Sequence, residues 1–326
     1  MLLLSEPTQS RPAEPLRYIA NVSTVVQASD LDETVDAFVE QVRERLAAED
    51  VKSTNLDAIW NDLLADRADC DATLFRKFEA LLGKDPDEAD PNIVNSLIED
   101  SKRVGKNAMA EIAATAFITA EKLATLARSS GINADLKDAV RFNPGHRQEA
   151  SSRVAAWKRG ADAAQALRSQ ERLDASLSNE RLCDMAGVPR TTLNASHEAS
   201  PLPLSFTLDE GKDKSSVVLR SKYSTGRRFA LARLIGDRLT QNGDDHLFPA
   251  TDAVTYRQKQ QRAFAAELLC PFEPLADRLK GDFSAEAIED AASHFQVSER
   301  AVLTMLVNHK LLDREALDAE EELAVA

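Results

Sequence analysis

Apolar residues recur at steps of three and four along most of the chain, the spacing of one face of an α-helix. The first such stripe follows Asp30, whose side chain and Glu33 are typical of a helix start. Its members are Leu31, Val35, Phe38, Val42 and Leu46. Further helices are predicted at 56–64, 74–82, 90–103, 106–129 and 147–170. We therefore expect the first half of the chain to be entirely helical.

The second half adds a small amount of strand. Strand-forming residues concentrate at 203–207 and 216–222, and two more helices are predicted at 227–239 and 252–269. Helix–turn–helix-like corners are predicted at 178–195 and at 284–311. The expected fold class is mainly α, with a C-terminal α+β domain in which a small antiparallel sheet packs on helices. The predicted domains are an acidic helical domain at 1–150, a helical connector at 151–200 and the α+β domain at 201–326.

Composition narrows the class of protein. The chain has 326 residues, 5% aromatic residues and only 11 glycines, which favours helices over a sandwich of short strands. Its three cysteines are widely separated, so no disulfide framework is predicted and a cytoplasmic location is expected. No targeting or membrane-spanning segment is predicted. No glycine-rich phosphate loop or Gly-x-Ser-x-Gly elbow is present, and no cofactor is predicted.

The net charge of -14 is unevenly distributed. Residues 1–150 hold 17 basic and 27 acidic residues, whereas 212–233 hold seven basic residues and the single acid Asp213. Such a run is a candidate surface for an anionic partner, including nucleic acid. Candidate binding residues within it are Arg220, Lys222, Arg227, Arg228 and Arg233.

Three sequence blocks occur in an order that resembles a known family. They are RFALA at 228–232, RAFAAELLCP at 262–271 and FQVSERAV at 295–302. Over about 177–312 the chain resembles the ImmA/IrrE family of zinc metallopeptidases. The resemblance implies a metallopeptidase-like fold for the C-terminal domain, and it does not extend to residues 1–150.

The resemblance also implies where a zinc site would lie. In the family the first block is followed by His-Glu-x-x-His, in which two histidines bind zinc and the glutamate is the general base. Here those positions hold Arg233, Leu234 and Asp237, and the third ligand position falls on Gln258 or Gln260. A guanidinium cannot ligate a dication and leucine cannot accept a proton. The chain is therefore expected to bind no metal there and to be a pseudopeptidase.

Two structural expectations follow from these positions. Arg233 and Asp237 are four residues apart, so they can form an ion pair in place of the metal. The edge of the strand at 216–222 is the expected docking place for a partner, through strand addition.

Three functions are compatible with the sequence. The first is a catalytically inactive regulatory or protein-binding module whose partner is a repressor or a toxin–antitoxin, phage or stress-response protein. The second is a DNA-binding transcriptional regulator that uses 212–233 and the helix–turn–helix-like corners. The third is an active metallopeptidase with an unrecognised metal site, so enzymatic activity stays open although the missing ligands count against it.

Overall fold

The structure is a computed structural model that describes part of the chain. The described residues are 2–4, 23–51, 53–143, 154–195, 199–241, 245–313 and 315–317. They form a mainly helical fold with a small antiparallel sheet, which confirms the predicted fold class. None of the helices in these ranges combines the length and apolar character that crossing a membrane requires.

The described chain divides into two compact units. The first lies within 1–77 and 148–155, and the second within 78–147 and 156–326. This division differs from the sequence-based domains 1–150, 151–200 and 201–326. The reason is that residues 132–135 form a strand of the main sheet, so the described residues 78–143 belong with the C-terminal half.

The first unit contains a strand pair and helices. Its elements are β1 (Leu2–Leu4), β2 (Ser23–Val25), α1 (Ala28–Ala48), α2 (Asn55–Ala68) and most of α3 (Cys70–Leu81). Strands β1 and β2 pair antiparallel, and the expectation of an entirely helical first half is therefore wrong. Helix α1 buries none of its residues: Val35 is 48% and Phe38 is 65% exposed. The predicted apolar stripe is thus only partly covered.

Polar contacts join α1 to α2. Thr54 caps α2 in a capping box with Asp57, and the Arg43 Nε donates to Asp57 Oδ1 at 2.8 Å. The indole of Trp60 donates to Glu40 Oε1 at 2.6 Å and is buried. These contacts link the first two helices through polar side chains.

The Asp57 carboxyl is expected to titrate far below an ordinary aspartate. Hydrogen bonds from Arg43 and from the Thr54 amide lower its pKa from 3.8 to about 2. A lowered pKa means that its contribution to stability is present above pH 3.8 and is lost as the pH falls toward 2. A carboxyl-carbon NMR titration measures this, and Arg43→Met should return the midpoint toward 3.8. An unchanged midpoint in that variant would contradict the assignment.

The second unit builds a four-stranded antiparallel sheet with helices around it. Its helices before the sheet hairpin are α4 (Pro91–Val104), α5 (Lys106–Ala113), α6 (Ala120–Ser130), α7 (Ala156–Glu171) and α8 (Asn179–Ala186). Its strands are β3 (Ile132–Asp135), β4 (Ser205–Gly211), β5 (Lys214–Val218) and β6 (Leu247–Ala250). The remaining helices are α9 (Ser224–Thr240), α10 (Tyr256–Leu269), α11 (Phe272–Leu279), α12 (Ala285–Phe295) and α13 (Glu299–Asn308).

The sheet order is β3-β5-β4-β6, which corrects two expectations. Strand β5 pairs with β3 on one side and β4 on the other, so the strand expected at 216–222 offers no free edge where it is paired and cannot accept an added strand there. It also ends at Val218, because the Arg220 amide donates to the Ser205 hydroxyl instead of continuing the ladder. A two-residue turn at 212–213 joins β4 to β5, and both residues have positive φ, as a type I′ turn requires.

Several helix predictions need adjustment. The predicted helix at 106–129 is two helices, because α5 ends at Ala113 and Thr119 caps α6. The corner at 178–195 contains α8 followed by turns rather than a second helix. The corner at 284–311 is a true helix–turn–helix of α12 and α13, with Gln296 in the left-handed conformation between them. The helix expected at 147–170 is α7, and the part before residue 154 lies outside the described residues.

Helix α10 packs closely against α7 and α9 at two glycines. A Cβ at Gly160 of α7 would lie 2.2 Å from the Gln260 carbonyl oxygen. A Cβ at Gly236 of α9 would lie 2.4 Å from Cδ1 of Phe264. The buried face of α10 is therefore held against two helices at once, and it carries the polar residues described next.

Candidate functional site

A buried polar cluster lies where α9, α10 and the end of β6 meet. Arg233, Leu234 and Asp237 of α9 are all buried, with Asp237 fully so. Leu231 and Ile235 on the same helix belong to the apolar core, which holds α9 in place. The helix thus turns two charged side chains into the interior, where each needs a partner.

Asp237 takes its partner from α10. Nε and Nη2 of Arg257 donate to the two Asp237 carboxylate oxygens at 2.8 and 2.7 Å, a two-bond ion pair. Nη1 of Arg257 donates to Asp245 at 2.8 Å. Burial raises the pKa of Asp237, with Arg257 opposing it. Burial lowers the pKa of Arg257, but the hydrogen bonds and charges of the two aspartates outweigh that effect and raise it overall.

Arg233 reaches a different set of acceptors. Its Nη2 donates to the Thr251 carbonyl at 2.7 Å and to Gln258 Oε1 at 2.5 Å. Burial, and next the nearby Arg262, lower the pKa of Arg233 to about 10, so its guanidinium stays charged at neutral pH. The expected Arg233–Asp237 ion pair is therefore wrong, because each residue is engaged by α10 or by the chain after β6 instead.

Gln258 completes the cluster. Its Oε1 also accepts from the Thr251 amide at 2.9 Å, and its Nε2 donates to the Pro249 carbonyl at 3.0 Å. Of the two glutamines left open for the third ligand position, Gln258 is the one in contact with Arg233. Gln260 is buried, and within the part of the chain that the structure describes its Nε2 has no hydrogen-bond partner. The structure thus brings Arg233 and Gln258 together, with Leu234 and Asp237 on the same helix as Arg233.

These side chains do not fit a zinc ion. Both oxygens of Asp237 accept from Arg257, the Gln258 amide oxygen accepts from two donors, and Arg233 has no lone pair to give. Leu234 offers no base for a water. Across the described ranges, histidine, cysteine, aspartate and glutamate nowhere gather in threes at metal-binding distance. The cluster can hold two helices and a strand end together, but these groups offer no acid–base chemistry.

The basic run at 212–233 divides into buried and exposed members. Arg227 and Arg228 are interior: Arg227 donates to the Leu193 carbonyl at 2.9 Å, and Arg228 to Asn179 Oδ1 at 2.7 Å and to the Leu177 carbonyl. Burial lowers the pKa of Arg228 to about 10. With Arg233 also buried, three of the five candidate binding residues cannot reach a phosphate.

The two exposed candidates lie on the loop before α9. Arg220 forms an ion pair with Asp252 at 2.5 Å, and Lys222 lies over the ring of Tyr223. The Arg220–Asp252 pair connects this loop to the one before α10. Of the five candidate residues, Arg220 and Lys222 therefore remain exposed, together with Lys212 and Lys214 of the same basic run.

The cysteines of the second unit are core residues. Cys183 and Cys270 are fully buried, and burial raises the pKa of both thiols, that of Cys270 to about 12. A thiol with a raised pKa is a poor nucleophile at neutral pH. Neither cysteine has the environment of a catalytic thiol.

Arg257 is the residue of this cluster that the sequence did not indicate. It lies on the face of α10 that continues through Gln261, Phe264, Ala265 and Leu268, all buried. Their spacing is that of a core stripe, and a charged residue on such a stripe signals a buried ion pair. Its partner Asp237 lies 20 residues earlier in the chain, on α9. The sequence alone does not show that the two residues meet.

Comparison with models of protein families, with curated proteins and with solved structures finds no match to this chain. The three sequence blocks and the buried cluster are therefore the grounds on which a function can be argued.

Proposed function

We propose that this chain is a catalytically inactive relative of ImmA/IrrE metallopeptidases that acts as a cytoplasmic regulatory or protein-binding module. Its partner would be a repressor or a toxin–antitoxin, phage or stress-response protein. The observation that supports this most is the contact between Arg233 and Gln258. The resemblance assigns Arg233 to one ligand position and Gln258 or Gln260 to another, and ligand positions must be neighbours in space.

The hydrogen bonding of the cluster supports loss of catalysis. An active site needs a ligand or base with free lone pairs facing a water or substrate. Here the cluster residues face one another, through the Arg257–Asp237 ion pair and the Arg233–Gln258 hydrogen bond. A cluster paired in this way would lack chemistry, and recognition of a partner would fall to the exposed loops around it.

We expect the purified chain to hold far less than one equivalent of zinc after expression in zinc-supplemented medium. Elemental analysis measures this directly. The matched variant combines Arg233→His, Leu234→Glu, Asp237→His and Gln258→Glu, with Arg257→Met to remove the competing cation. Zinc uptake by this variant alone is the expected result. Stoichiometric zinc in the unmodified chain would contradict the proposal. A folded variant that binds no zinc would contradict the assignment of these residues to ligand positions.

The partner is sought at the loops that lead into the cluster helices. Tyr223 is 67% and Val254 is 77% exposed, on the two loops joined by Arg220–Asp252. A photo-crosslinking residue at either position, in cells of the source organism, should capture the partner, whereas one at exposed Leu311 should not. The captured protein is then purified, and its affinity is measured with Tyr223→Ala and Val254→Ser.

The outcomes distinguish the candidate functions. At least fivefold weaker binding in these variants, with the partner left uncleaved, supports a binding module. Cleavage of the partner that a chelator stops would instead favour an active metallopeptidase. Capture of DNA with affinity that falls steeply between low and moderate salt would favour the nucleic-acid alternative.

A further inference from the structure

A cavity separate from the buried cluster opens between the chain after β3 and the end of α9. Its volume is about 470 Å³, within the range of small-molecule pockets. Apolar side chains of residues 136–142 and Leu239 form most of its wall, and two arginines, Arg141 and Arg238, complete it. The wall of the cavity thus combines apolar side chains with two positively charged guanidinium groups.

Arg238 is the better buried of the two cations. Its Nη2 has only long contacts, 3.4 Å to the Val140 carbonyl and 3.4 Å to the Met185 carbonyl. Among the described residues, no carboxylate lies within ion-pair distance of it. Burial lowers the pKa of Arg238 to about 10, which leaves the group protonated at neutral pH. The charge of Asp209 acts on Arg238 from beyond ion-pair distance, and an anion in the cavity would further offset the cost of this partly buried guanidinium.

Arg141 lies at the rim. Its side chain is 70% exposed, and its contacts are a 3.5 Å approach to Asp213 and a 3.2 Å hydrogen bond to the Leu136 carbonyl. Such weak contacts leave the side chain able to turn toward a ligand at modest cost. The rim and the wall of the cavity can then hold one anionic group between two guanidinium groups.

Asp209 limits the charge that the cavity accepts. Burial raises the pKa of this carboxyl, its Oδ1 has no hydrogen-bond partner among the described residues, and its charge acts on Arg238. Because the charge of Asp209 already offsets part of the Arg238 charge, a second negative charge on a ligand would gain less than the first. The apolar wall meanwhile favours a ligand with an apolar body over a bare inorganic ion.

We infer that this cavity binds a small amphipathic carboxylate, with its carboxylate between Arg238 and Arg141 and its apolar body against Leu136, Val140 and Phe142. This site does not depend on the proposed function. The two arginines favour an anionic group on the ligand, the apolar wall favours an apolar body, and the volume of the cavity limits the ligand to a small molecule.

The probe is octanoate, titrated into the full chain by calorimetry. Three comparison compounds separate its parts: 1-octanol has the body without the charge, whereas acetate and inorganic phosphate have charge without the body. We expect octanoate to bind at least tenfold more tightly than each of them. Equal binding of 1-octanol, or equal binding of acetate or phosphate, would overturn the inference.

Variants test the two cations. Arg238→Gln should weaken octanoate binding roughly tenfold or more, and Arg141→Gln roughly threefold to tenfold, the range for charge-assisted hydrogen bonds. Arg128→Gln, at an exposed position on α6, is the matched control and should not change it. If Arg238→Gln does not fold, Arg141→Gln decides, because its side chain is mostly exposed. Unchanged affinity in Arg141→Gln and in any folded Arg238→Gln would refute the site.

Discussion

Replacing Arg257 by methionine is expected to lower the free energy of unfolding of the second unit by about 3–5 kcal/mol, the usual cost of leaving a buried charge without its partner. The carboxylate of Asp237 would lose both of its hydrogen bonds from Arg257, and Asp245 would lose one. Neither aspartate has water to replace them, since their side chains are 0% and 8% exposed. Urea unfolding, followed by circular dichroism, measures the change.

Two further variants isolate the cause. Arg278→Met removes an arginine from the exposed pair with Asp290 and should cost less than about 1 kcal/mol. Adding Asp237→Leu to Arg257→Met should recover much of the loss, because an apolar pair of similar volume replaces the ion pair. Recovery is expected to be incomplete, since Asp245 stays without its donor. A single Arg257→Met variant as stable as the Arg278→Met control would contradict the role of this ion pair.

The cost of Arg257→Met should also depend on pH. Burial already raises the pKa of Asp237, and removal of the arginine raises it further. A carboxyl whose pKa is higher in the folded than in the unfolded state destabilises the fold above its unfolded pKa, near 4, and not below it. The difference in unfolding free energy between variant and unmodified chain should therefore shrink as the pH is lowered from 7 to 4. A difference that grows over this interval would show that Asp237 is not the group responsible.

Helices were predictable where local patterns agree with burial. The predicted range 90–103 corresponds to α4, and the tail corner corresponds to α12 and α13. By contrast, β3 and β6 are four residues each and escape a search for strand patterns. Strand β6 even contains Pro249, which an edge strand tolerates but which argues against a strand in sequence. Both strands exist because β4 and β5 supply their hydrogen-bond partners, and that information is not local.

The contacts of the candidate site were not predictable from the sequence. The resemblance selected Arg233, Asp237 and either Gln258 or Gln260, and of these Arg233 contacts Gln258. Which cation neutralises Asp237 depended on the approach of α10, where Arg257 offers two donors to both oxygens. Charge alone also misled at Arg227 and Arg228, because long side chains in a basic run can point inward and bind carbonyls. Sequence spacing constrains faces of helices, whereas partners are decided by packing.

Gly160→Ala is expected to destabilise the second unit by about 1–3 kcal/mol, the usual cost of overpacking a well-packed core. The direction of this change in stability is informative. Alanine is a better helix former than glycine by about 1 kcal/mol, so the same substitution would stabilise an isolated α7. The added Cβ would lie 2.2 Å from the Gln260 carbonyl oxygen and 2.9 Å from the Phe264 amide nitrogen. Backbone atoms of α10 cannot move aside singly, so the two helices must separate.

Gly236→Ala provides the matched comparison, because its obstacle is a side chain. There the added Cβ meets ring atoms of Phe264 at 2.4 and 2.6 Å, and Phe264→Leu removes the ring. The combination of Gly236→Ala with Phe264→Leu should therefore cost less than the sum of the two changes, measured by the same urea unfolding. Gly160→Ala should gain nothing from trimming Ala263, the nearest side chain at 3.0 Å, to glycine. If Gly160→Ala is instead as stable as the unmodified chain, then α7 and α10 are not held at backbone contact. The burial of the Arg257–Asp237 pair would then have to be explained by other packing.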